Sequence, residues 1–389
     1  MIKKKICILT SCRADYDLLH NLIKCLVKSK NIDLNLIITG QHLSKQYGYT
    51  SKNIIKDFKS ISKKIDIRIG KSNQRNLIRT VSIGLNKIGN HLNSEKPKIL
   101  IILGDRYEIL SAGIAAFLNQ IPIVHIHGGE KTHGSYDDMV RHSITKLSHY
   151  HFVSHKIYKK RVVQLGENPR NVFNVGSLGA ENISKLTFIR KQDLEKNLKL
   201  KFENKIFLIT INSFIEENIS INKLLDNLLG ALKNLKKTSF IFTMSNSDLN
   251  SDLINNKIKN FFNKNKNLYL FKSLGSENYL SLMKISNAVI GNSSSGLLET
   301  PSLKIPTINI GARQNGRILS KNIVNSDGSY ENISFLLKKV FSSSFLKKIK
   351  NVKNPLFKKN TSAKITKTIE KILFSQKIKK KVFYDIEQK

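Results

Sequence analysis

The chain has 389 residues, 40% of them hydrophobic, and a formal net charge of +38 at pH 7. This length favours two domains over one, and no apolar run approaches the roughly 20 residues that a membrane-spanning helix needs. The lysines that carry the charge are spread along the whole chain without interleaved aromatic residues, so no nucleic-acid partner is expected. Cys7, Cys12 and Cys25 are odd in number and suggest no disulfide framework, so we expect a reducing, cytoplasmic compartment, and without an apolar span we expect no membrane partner.

Short apolar segments alternate with amphipathic ones in the first half of the chain, which is typical of βαβ units in a parallel sheet. The predicted strands are Lys5–Thr10, Leu34–Thr39, Ile65–Ile69, Ile99–Leu103, Ile121–Ile126, His151–Val153 and Val172–Val175. The helices predicted between them are Asp15–Lys28, Arg75–Leu92, Glu108–Leu118, Asp137–Ser148 and Ile157–Leu165. This pattern predicts a first domain over residues 1–186.

The region Thr187–Lys201 is charged and lacks strand character, which predicts a linker. The pattern then restarts, with strands at Ile206–Thr210, Phe240–Thr243, Leu268–Phe271, Ala288–Ile290 and Thr307–Ile310 and helices at Lys223–Leu235, Leu249–Asn263, Tyr279–Ile285 and Ser295–Ser302. A second domain is predicted over residues 187–360, and the basic amphipathic tail 361–389 is expected to pack back on the domains. The fold class is therefore α/β, with two Rossmann-like doubly wound domains facing a central cleft.

A turn of small residues, Asn292-Ser-Ser-Ser-Gly-Leu-Leu-Glu299, follows one buried strand and opens a helix. Its Asn292, Ser293, Ser294 and Ser295 offer backbone N–H groups and polar side chains, and the helix dipole adds a positive field, which together suit a diphosphate. Glu299 could accept hydrogen bonds from a ribose diol. An ordinary serine-capped helix explains the same string equally well.

Asp105 lies in Gly104-Asp-Arg-Tyr-Glu108, directly after the most apolar strand of the chain. A charged residue at the end of a buried strand usually has a partner or a chemical task, which makes Asp105 a candidate acid or base. A helix N-cap is the alternative interpretation.

Histidine and carboxylate side chains cluster after the next strand, in and beyond Val124–Thr132. His127, Glu130 and Asp137 form a candidate acid/base group, since a carboxylate near histidine in a desolvated site has the shifted pKa that proton transfer needs. The segment has no HExxH motif and no thiolate pair, so no metal is expected. Arg13 and Arg313, with Lys131 and Arg317, could supply positive charge to a leaving diphosphate.

Six motifs in the same order, between about Lys3 and about Asn325, resemble the hydrolysing UDP-N-acetylglucosamine 2-epimerases of sialic- and legionaminic-acid pathways. They are the loop Ser11–Tyr16, GDRYE at Gly104–Glu108, HIHGGE at His125–Glu130, RHSITKLSHYHF at Arg141–Phe152, GNSSSGLLETPS at Gly291–Ser302 and PTINIGARQNGR at Pro306–Arg317.

The resemblance implies two domains of the GT-B glycosyltransferase type, with UDP held mainly by the second. It also implies removal of the C2 proton with anti loss of UDP, which gives a 2-acetamidoglucal, and then addition of water to release the C2 epimer. UDP-N-acetylglucosamine and its 2,4-diacetamido-2,4,6-trideoxy analogue both fit as substrates. No metal or nicotinamide is implied, and a homodimer is expected.

Residue roles follow from the same resemblance. Arg13 corresponds to the phosphate-contacting arginine of the family, Asp105 to its first-domain catalytic acid, and Asp137 to the acid before the Arg-His pair. The serines of the turn, Ser293 and Ser294, with Glu299, match the UDP-binding turn.

The chain departs from the family pattern at two positions. Related enzymes often carry glutamate where His127 stands, so the second acid/base group is either His127 or Glu130. Where the family usually has histidine and proline, this chain has Asn212 and Ser213, and asparagine cannot carry a proton at neutral pH. A non-hydrolysing epimerase and a GT-B glycosyltransferase remain alternatives, and a basic nucleic-acid-binding protein is a distant one.

Overall fold

The structure is a computed structural model that describes residues 3–71, 73–214, 219–233, 235–245, 251–262, 267–375 and 381–386. The chain forms two compact units: unit 1 comprises Met1–Glu130, Asp137–Asn182 and Leu356–Lys389, and unit 2 comprises Lys131–Tyr136 and Ile183–Pro355. None of the helices in these ranges combines the length and the apolar character that crossing a membrane requires.

Strands and helices alternate along almost the whole chain. The strands are β1 Lys4–Thr10, β2 Ile32–Ile38, β3 Ser62–Lys64, β4 Leu100–Leu103, β5 Ile123–Ile126, β6 Tyr150–Val153, β7 Val172–Asn174, β8 Lys205–Thr210, β9 Thr238–Thr243, β10 Leu268–Phe271, β11 Ala288–Gly291, β12 Thr307–Ile310 and β13 Ile323–Ser326. The α-helices are α1 Arg13–Lys28, α2 Ser51–Phe58, α3 Gln74–Glu95, α4 Tyr107–Leu118, α5 Asp137–Leu147, α6 Lys156–Gln164, α7 Leu178–Lys185, α8 Lys191–Leu198, α9 Ile221–Lys233, α10 Ser251–Phe262, α11 Ser276–Ile285, α12 Ser295–Leu298, α13 Thr300–Leu303, α14 Tyr330–Val340, α15 Ser343–Ile349 and α16 Thr361–Phe374.

Unit 1 is built on a parallel sheet in the order β3-β2-β1-β4-β5-β6-β7. β4 and β5 are buried along their whole length, because helices cover both faces and leave no solvent-facing side for an alternating pattern. The chain runs outward from β1 to β3 and returns to β4, so the strand order reverses between β1 and β4. Ligands of such sheets bind beyond the carboxyl ends of the strands at this reversal.

Unit 2 repeats the arrangement, with a parallel sheet in the order β10-β9-β8-β11-β12-β13 and its reversal between β8 and β11. Its main core packs α9 and α14 against the sheet through buried leucine and isoleucine side chains. Both units therefore have the Rossmann strand order, and the predicted class of two doubly wound α/β domains is confirmed.

Three local predictions were wrong. The third strand is Ser62–Lys64, not Ile65–Ile69: Ile65 and Ile67 are buried in the core, but Arg68 has φ +54, which an extended strand does not adopt. The segment predicted as a linker contains α8, whose Leu194 is fully buried. The helix predicted over Ser295–Ser302 is two short helices that meet at Glu299.

The C-terminal segment belongs to unit 1. The buried face of α16, formed by Ile365, Ile369 and Ile372, joins the same core as the buried leucines of α1. The two compact units part between Asn182 and Ile183, close to the predicted boundary after residue 186. The return to unit 1 begins at Leu356, earlier than the predicted tail at 361, and there the Ser177 N–H donates to the Leu356 carbonyl at 2.8 Å.

Candidate active site

The loop after β1 is organised around the buried carboxylate of Asp15. Its Oδ2 accepts hydrogen bonds from the Ser11 backbone N–H at 2.9 Å and the Ser11 hydroxyl at 3.0 Å, and Oδ1 accepts one from Thr10. His42 reaches the same group from the segment after β2, with Nε2 3.0 Å from Thr10 Oγ1. Burial raises the pKa of Asp15, but hydrogen bonds and the His42 charge outweigh that effect and the net pKa is lowered.

Arg13 is the first residue of α1, at the carboxyl edge of the sheet. One helical turn later, burial raises the pKa of Asp17 to about 7, and the positive charge of Arg13 opposes that rise. Because this helix start also offers its dipole, Arg13 is placed where an anion is favoured.

The loop after β4 carries Asp105, with 23% of its side chain exposed. Gly104 adopts φ +87, and no atom lies within 4 Å of the position a Cβ would occupy there. Arg106 and the fully buried Glu108 form an ion pair with Nε 3.2 Å from Oε2. Gly104 thus allows a left-handed turn at the end of β4, beside a partly exposed carboxylate.

The loop after β5 carries His127 and Glu130, which are both buried. His127 Nδ1 lies 3.8 Å from Glu130 Oε1, and Ser154 donates to the same oxygen at 3.1 Å. His127 has φ +66, a left-handed conformation that is costly for a residue with a side chain. Gly129 is required after it, since a Cβ there would lie 2.5 Å from the Tyr158 carbonyl oxygen.

Two other histidines of this region, His125 and His151, bond to buried groups inside unit 1. His125 Nε2 lies 2.8 Å from the Gly104 carbonyl, and burial lowers its pKa to about 3, so the ring is neutral. His151 Nε2 lies 3.0 Å from Glu167. Within the ranges that the structure describes, no group of three or more histidine, cysteine, aspartate or glutamate side chains could hold a metal ion.

Arg141, the largest fully buried side chain, connects the loops after β4 and β5 from the first half of α5. Its Nη2 donates to Asp105 Oδ2, and its Nη1 donates to the Glu130 carbonyl at 3.0 Å and lies 3.4 Å from Asp138 Oδ1. Burial alone would lower the pKa of Arg141, but the charges of Asp105, Glu130 and Asp137 outweigh it and raise the pKa. Of the three predicted acids, Asp105 thus contacts Arg141 through its carboxylate and Glu130 through its backbone carbonyl, while Asp137 acts on the pKa of Arg141 through its charge.

In unit 2, two asparagines join the ends of β8 and β11. Asn212 N–H donates to Asn292 Oδ1 at 2.7 Å, and Asn292 Nδ2 donates to the Asn212 carbonyl at 2.7 Å. Asn212 Oδ1 lies 3.4 Å from the Ser245 hydroxyl. Gly291 precedes Asn292 with φ +136, and a Cβ there would lie 1.9 Å from the Thr210 carbonyl oxygen, so the close approach of these strands needs glycine.

The serine turn follows at once. Ser293 Oγ lies 3.4 Å from the Ser295 backbone nitrogen, and the Ser295 hydroxyl pairs with Tyr279 at 2.8 Å. α12 begins at Ser295, so the backbone N–H groups of Ser293 and Ser294 stand at a helix start. Glu299, 8% exposed, lies one turn further on.

Arg313 and Gln314 secure this turn from the segment after β12. Arg313 Nε donates to the Ser213 carbonyl at 2.9 Å and Nη1 to the Asn292 carbonyl at 3.3 Å, while Gln314 Nε2 donates to the same Asn292 carbonyl at 2.8 Å. Arg313 therefore holds the backbone that follows β8 and the backbone that follows β11, on both sides of the reversal in strand order.

The predicted site residues fall into two groups, each within one unit. Unit 1 places Arg13, Asp105, His127, Glu130 and Asp137 at the ends of β1, β4 and β5 or at the start of α5. Unit 2 carries the others just after the ends of β8, β11 and β12, namely Asn212, Asn292, Ser293, Ser294, Ser295 and Arg313, with Glu299 between α12 and α13.

Sequence reasoning missed Arg141, Gln314 and the Asp15–His42 pair. Arg141 and Gln314 lie within two of the six motifs. The signal that could have singled them out is a polar residue at a position where the helix or turn otherwise carries apolar side chains. His42 had no such signal, because its partner comes from a different strand end.

A family model described as UDP-N-acetylglucosamine 2-epimerase matches residues 24–370. A protein of Campylobacter jejuni named GDP/UDP-N,N'-diacetylbacillosamine 2-epimerase (hydrolyzing) is 46% identical, over 84% of this chain and 85% of the relative. Polysialic acid biosynthesis protein P7 of Escherichia coli is 40% identical, over 99% of this chain and 98% of the relative. A UDP-N,N'-diacetylbacillosamine 2-epimerase (hydrolyzing) of Legionella pneumophila is 33% identical, over 85% of this chain and 87% of the relative.

Solved structures agree on the fold. The UDP-GlcNAc 2-epimerase of Neisseria meningitidis bound to UDP-GlcNAc superposes with a TM-score of 0.80 at 21% identity, covering 94% of this chain and 100% of that one. The likeness confirms the predicted GT-B type of fold.

Proposed function

The chain belongs to the UDP-N-acetylglucosamine 2-epimerase family and, with hydrolysing enzymes among its relatives, we propose that it hydrolyses UDP-linked 2,4-diacetamido-2,4,6-trideoxyglucose, the sugar N,N'-diacetylbacillosamine, with inversion at C2. The observation that carries this choice is the relative at 46% identity that is named for this sugar, joined by a second at 33%. UDP-N-acetylglucosamine is the second candidate, favoured by the description of the family model that matches residues 24–370.

The proposed reaction has two steps. A base removes the C2 proton, the C–H electron pair forms the C1=C2 double bond, and the C1–O bond breaks with its electrons on the departing UDP. Water then adds its oxygen to C1 while a proton returns to C2 from the opposite face, which releases the free manno-configured sugar. No electrons are gained or lost overall, so the reaction needs no nicotinamide, and proton transfer by side chains needs no metal.

We assign the proton transfers to unit 1, with Asp105 and Asp137 as acid/base residues and His127 or Glu130 as the other group. The support is the shared cation Arg141, whose pKa is raised by the charges of Asp105, Glu130 and Asp137. Carboxylates grouped around one buried charge have the perturbed environment that proton transfer requires.

We assign UDP to unit 2, in the serine turn. The N–H groups and hydroxyls of Ser293, Ser294 and Ser295 suit the diphosphate, Glu299 suits the ribose diol, and Asn292 holds the turn. Asn212 stands beside this turn, and Arg13 and Arg313 add the charge that a departing diphosphate needs. We infer further that the enzyme works in the cytoplasm as a homodimer, without a nucleic-acid or membrane partner.

The test is incubation of the purified protein with the UDP form of each sugar and with GDP-linked diacetylbacillosamine. Chromatography measures free nucleotide, and proton NMR identifies the free sugar. The proposal expects UDP and the manno-configured diacetamido sugar, with a kcat/KM at least about tenfold above that for UDP-N-acetylglucosamine, because substrate groups remote from the reacting centre contribute binding energy. Preference for UDP-N-acetylglucosamine would favour the second candidate, and transfer of an intact sugar to an acceptor would overturn both.

A further inference from the structure

Arg141 is 1% exposed, and its guanidinium contacts three separate pieces of chain. It donates to the Asp105 carboxylate after β4, to the Glu130 backbone carbonyl after β5, and lies 3.4 Å from Asp138 on its own helix. A planar guanidinium with several fixed donors suits this task, whereas a lysine ammonium has no second donor in a fixed direction. The side chain thus ties Asp105 to the loop that carries His127 and Glu130.

A buried cation is costly unless opposite charges compensate for its lost hydration. Arg141 donates charged hydrogen bonds to two carboxylates, Asp105 after β4 and, at 3.4 Å, Asp138 on its own helix. Such a bond stabilises the ionised form of the carboxyl group over its protonated form. Asp105 is therefore held as an anion with one oxygen on Arg141.

We propose that Arg141 is a positioning residue that keeps Asp105 ionised and oriented, so that Asp105 accepts the C2 proton in the elimination step. The proton then moves from C2 to the Asp105 carboxylate as the C1–O bond breaks. The proton that returns to C2 from the opposite face comes from the side of His127 and Glu130. This inference rests on the proposed function and adds the direction of proton transfer to it.

Other charged groups also face this part of unit 1 and contribute to its titration. They come from the Asp105 loop itself, from β5 with its loop and from α5, and are Arg106, Glu108, His125, His127, Glu130, Asp137 and Asp138. Arg141 Nη2 donates a charged hydrogen bond to the Asp105 carboxylate. Replacing Arg141 therefore changes the charge in direct contact with Asp105.

The experiment compares the pH profile of kcat/KM in the wild type, Arg141→Lys and Arg141→Met. A carboxylate base acts only in its ionised form. Activity therefore falls when the pH drops below the pKa of that carboxyl group. Removing a neighbouring cation raises an aspartate pKa by about 1–3 units, so the acidic limb of Arg141→Met should move to higher pH by about that amount. Arg141→Lys restores the charge but not the fork of donors, and its limb should lie between the other two.

Lys146→Gln is the matched control, because it removes a cation from the same helix near Glu167 and away from Asp105. Its acidic limb should stay in place. If circular dichroism shows that the Arg141 variants do not fold, Asp105→Asn provides the alternative test. Its residual activity should lack the acidic limb of the pH profile, because asparagine does not titrate.

Each result decides between alternatives. A shift of the basic limb in Arg141→Met would show that Asp105 donates a proton and would overturn the inference. Lower activity with both limbs unmoved, or an acidic limb retained in Asp105→Asn, would overturn it too. The wild type in the same buffers separates the two proposals: an inactive wild type contradicts the proposed function, whereas an active one with unmoved limbs contradicts only the inference about Arg141.

Discussion

The two units share one strand order but present different chemistry at the carboxyl ends of their strands. In unit 1 the ends of β4 and β5 and the start of α5 carry ionisable groups, with Asp105, Glu130 and Asp137 around the buried Arg141. In unit 2 the ends of β8 and β11 carry neutral amides and hydroxyls, joined by the Asn212–Asn292 pair. The same backbone therefore supports two different sites.

Under the proposed function, this difference corresponds to a catalytic role for unit 1 and a nucleotide-binding role for unit 2. Groups that exchange protons need charges whose pKa can be shifted by their neighbours, and unit 1 provides them. A nucleotide diphosphate needs fixed donors and a helix start, and unit 2 provides those. Substitutions in unit 1 should therefore change the rate of the chemical step, and substitutions in unit 2 should change nucleotide affinity.

The largest expected effect is on the chemical step. Asp105→Asn and Asp137→Asn should each lower kcat by at least about 10²-fold, the usual loss for a general acid or base, while the Kd for UDP changes little. Steady-state kinetics and calorimetric UDP titration check this. Asp33→Asn, on the exposed side of β2 in the same unit, is the control, and near-normal kcat in Asp105→Asn would remove Asp105 from the chemical step.

The opposite pattern is expected in unit 2. Glu299→Ala should weaken UDP binding by about tenfold, because a carboxylate–hydroxyl hydrogen bond contributes about 1.5 kcal/mol, while kcat at saturating substrate survives. The same titration measures it, with the exposed Glu277→Ala as control. If Glu299→Ala lowered kcat but left UDP affinity unchanged, the assignment of nucleotide binding to unit 2 would be contradicted.

A smaller effect on folding stability is expected in unit 1, at a distance from the proposed chemistry. Glu167 is buried and contacts His151 at 3.0 Å, Lys146 at 2.8 Å and Lys381 at 2.6 Å. Burial alone would raise its pKa, but these partners outweigh burial and lower the pKa to about 2. The contribution of ionised Glu167 to folding stability is complete above the ordinary glutamate pKa of about 4.5. It is lost as the pH falls from there toward 2.

Glu167→Gln should therefore lower the free energy of unfolding by about 2 kcal/mol at pH 7, less than the about 3–5 kcal/mol typical of a broken buried pair, because Gln keeps an acceptor. Urea unfolding at pH 7 and at pH 3 measures it, and the gap from the wild type should narrow at pH 3. Asp193→Asn, in the exposed pair with Arg190, is the control and should change little. An equal gap at both pH values would show that the charge of Glu167 is not what stabilises the fold.

The smallest effect is expected at Asn212, where the family usually has histidine. The backbone of Asn212, not its side chain, makes the two hydrogen bonds with Asn292. Asn212→His keeps that backbone, so activity should stay the same or rise, as steady-state kinetics will show. A marked loss would mean that the Asn212 amide has a specific task in this chain.

The sequence was sufficient to locate the polar segments that follow buried strands, whereas the roles of their residues stay predictions. Asp105, His127 and the serine turn were predicted because a polar run after an apolar strand of a parallel sheet falls at the ligand edge. Ile65–Ile69 was wrongly predicted as a strand, because apolar side chains indicate that a segment is buried but do not show whether its backbone pairs with a neighbouring strand. Partners that meet only in the folded chain, such as His42 with Thr10 or Arg141 with Asp105, leave no local pattern to detect.

The central claim, elimination and re-addition at C2 with hydrolysis, is tested most directly by the reaction in D2O, with a parallel reaction in oxygen-18 water. Since the C2 proton is removed and replaced from solvent, NMR should find deuterium at C2 of the released manno-configured sugar. Because the C1–O bond breaks, mass spectrometry should find oxygen-18 in the sugar and none in UDP. Release of the unepimerised sugar without deuterium at C2 would instead show simple glycosyl hydrolysis and contradict the account.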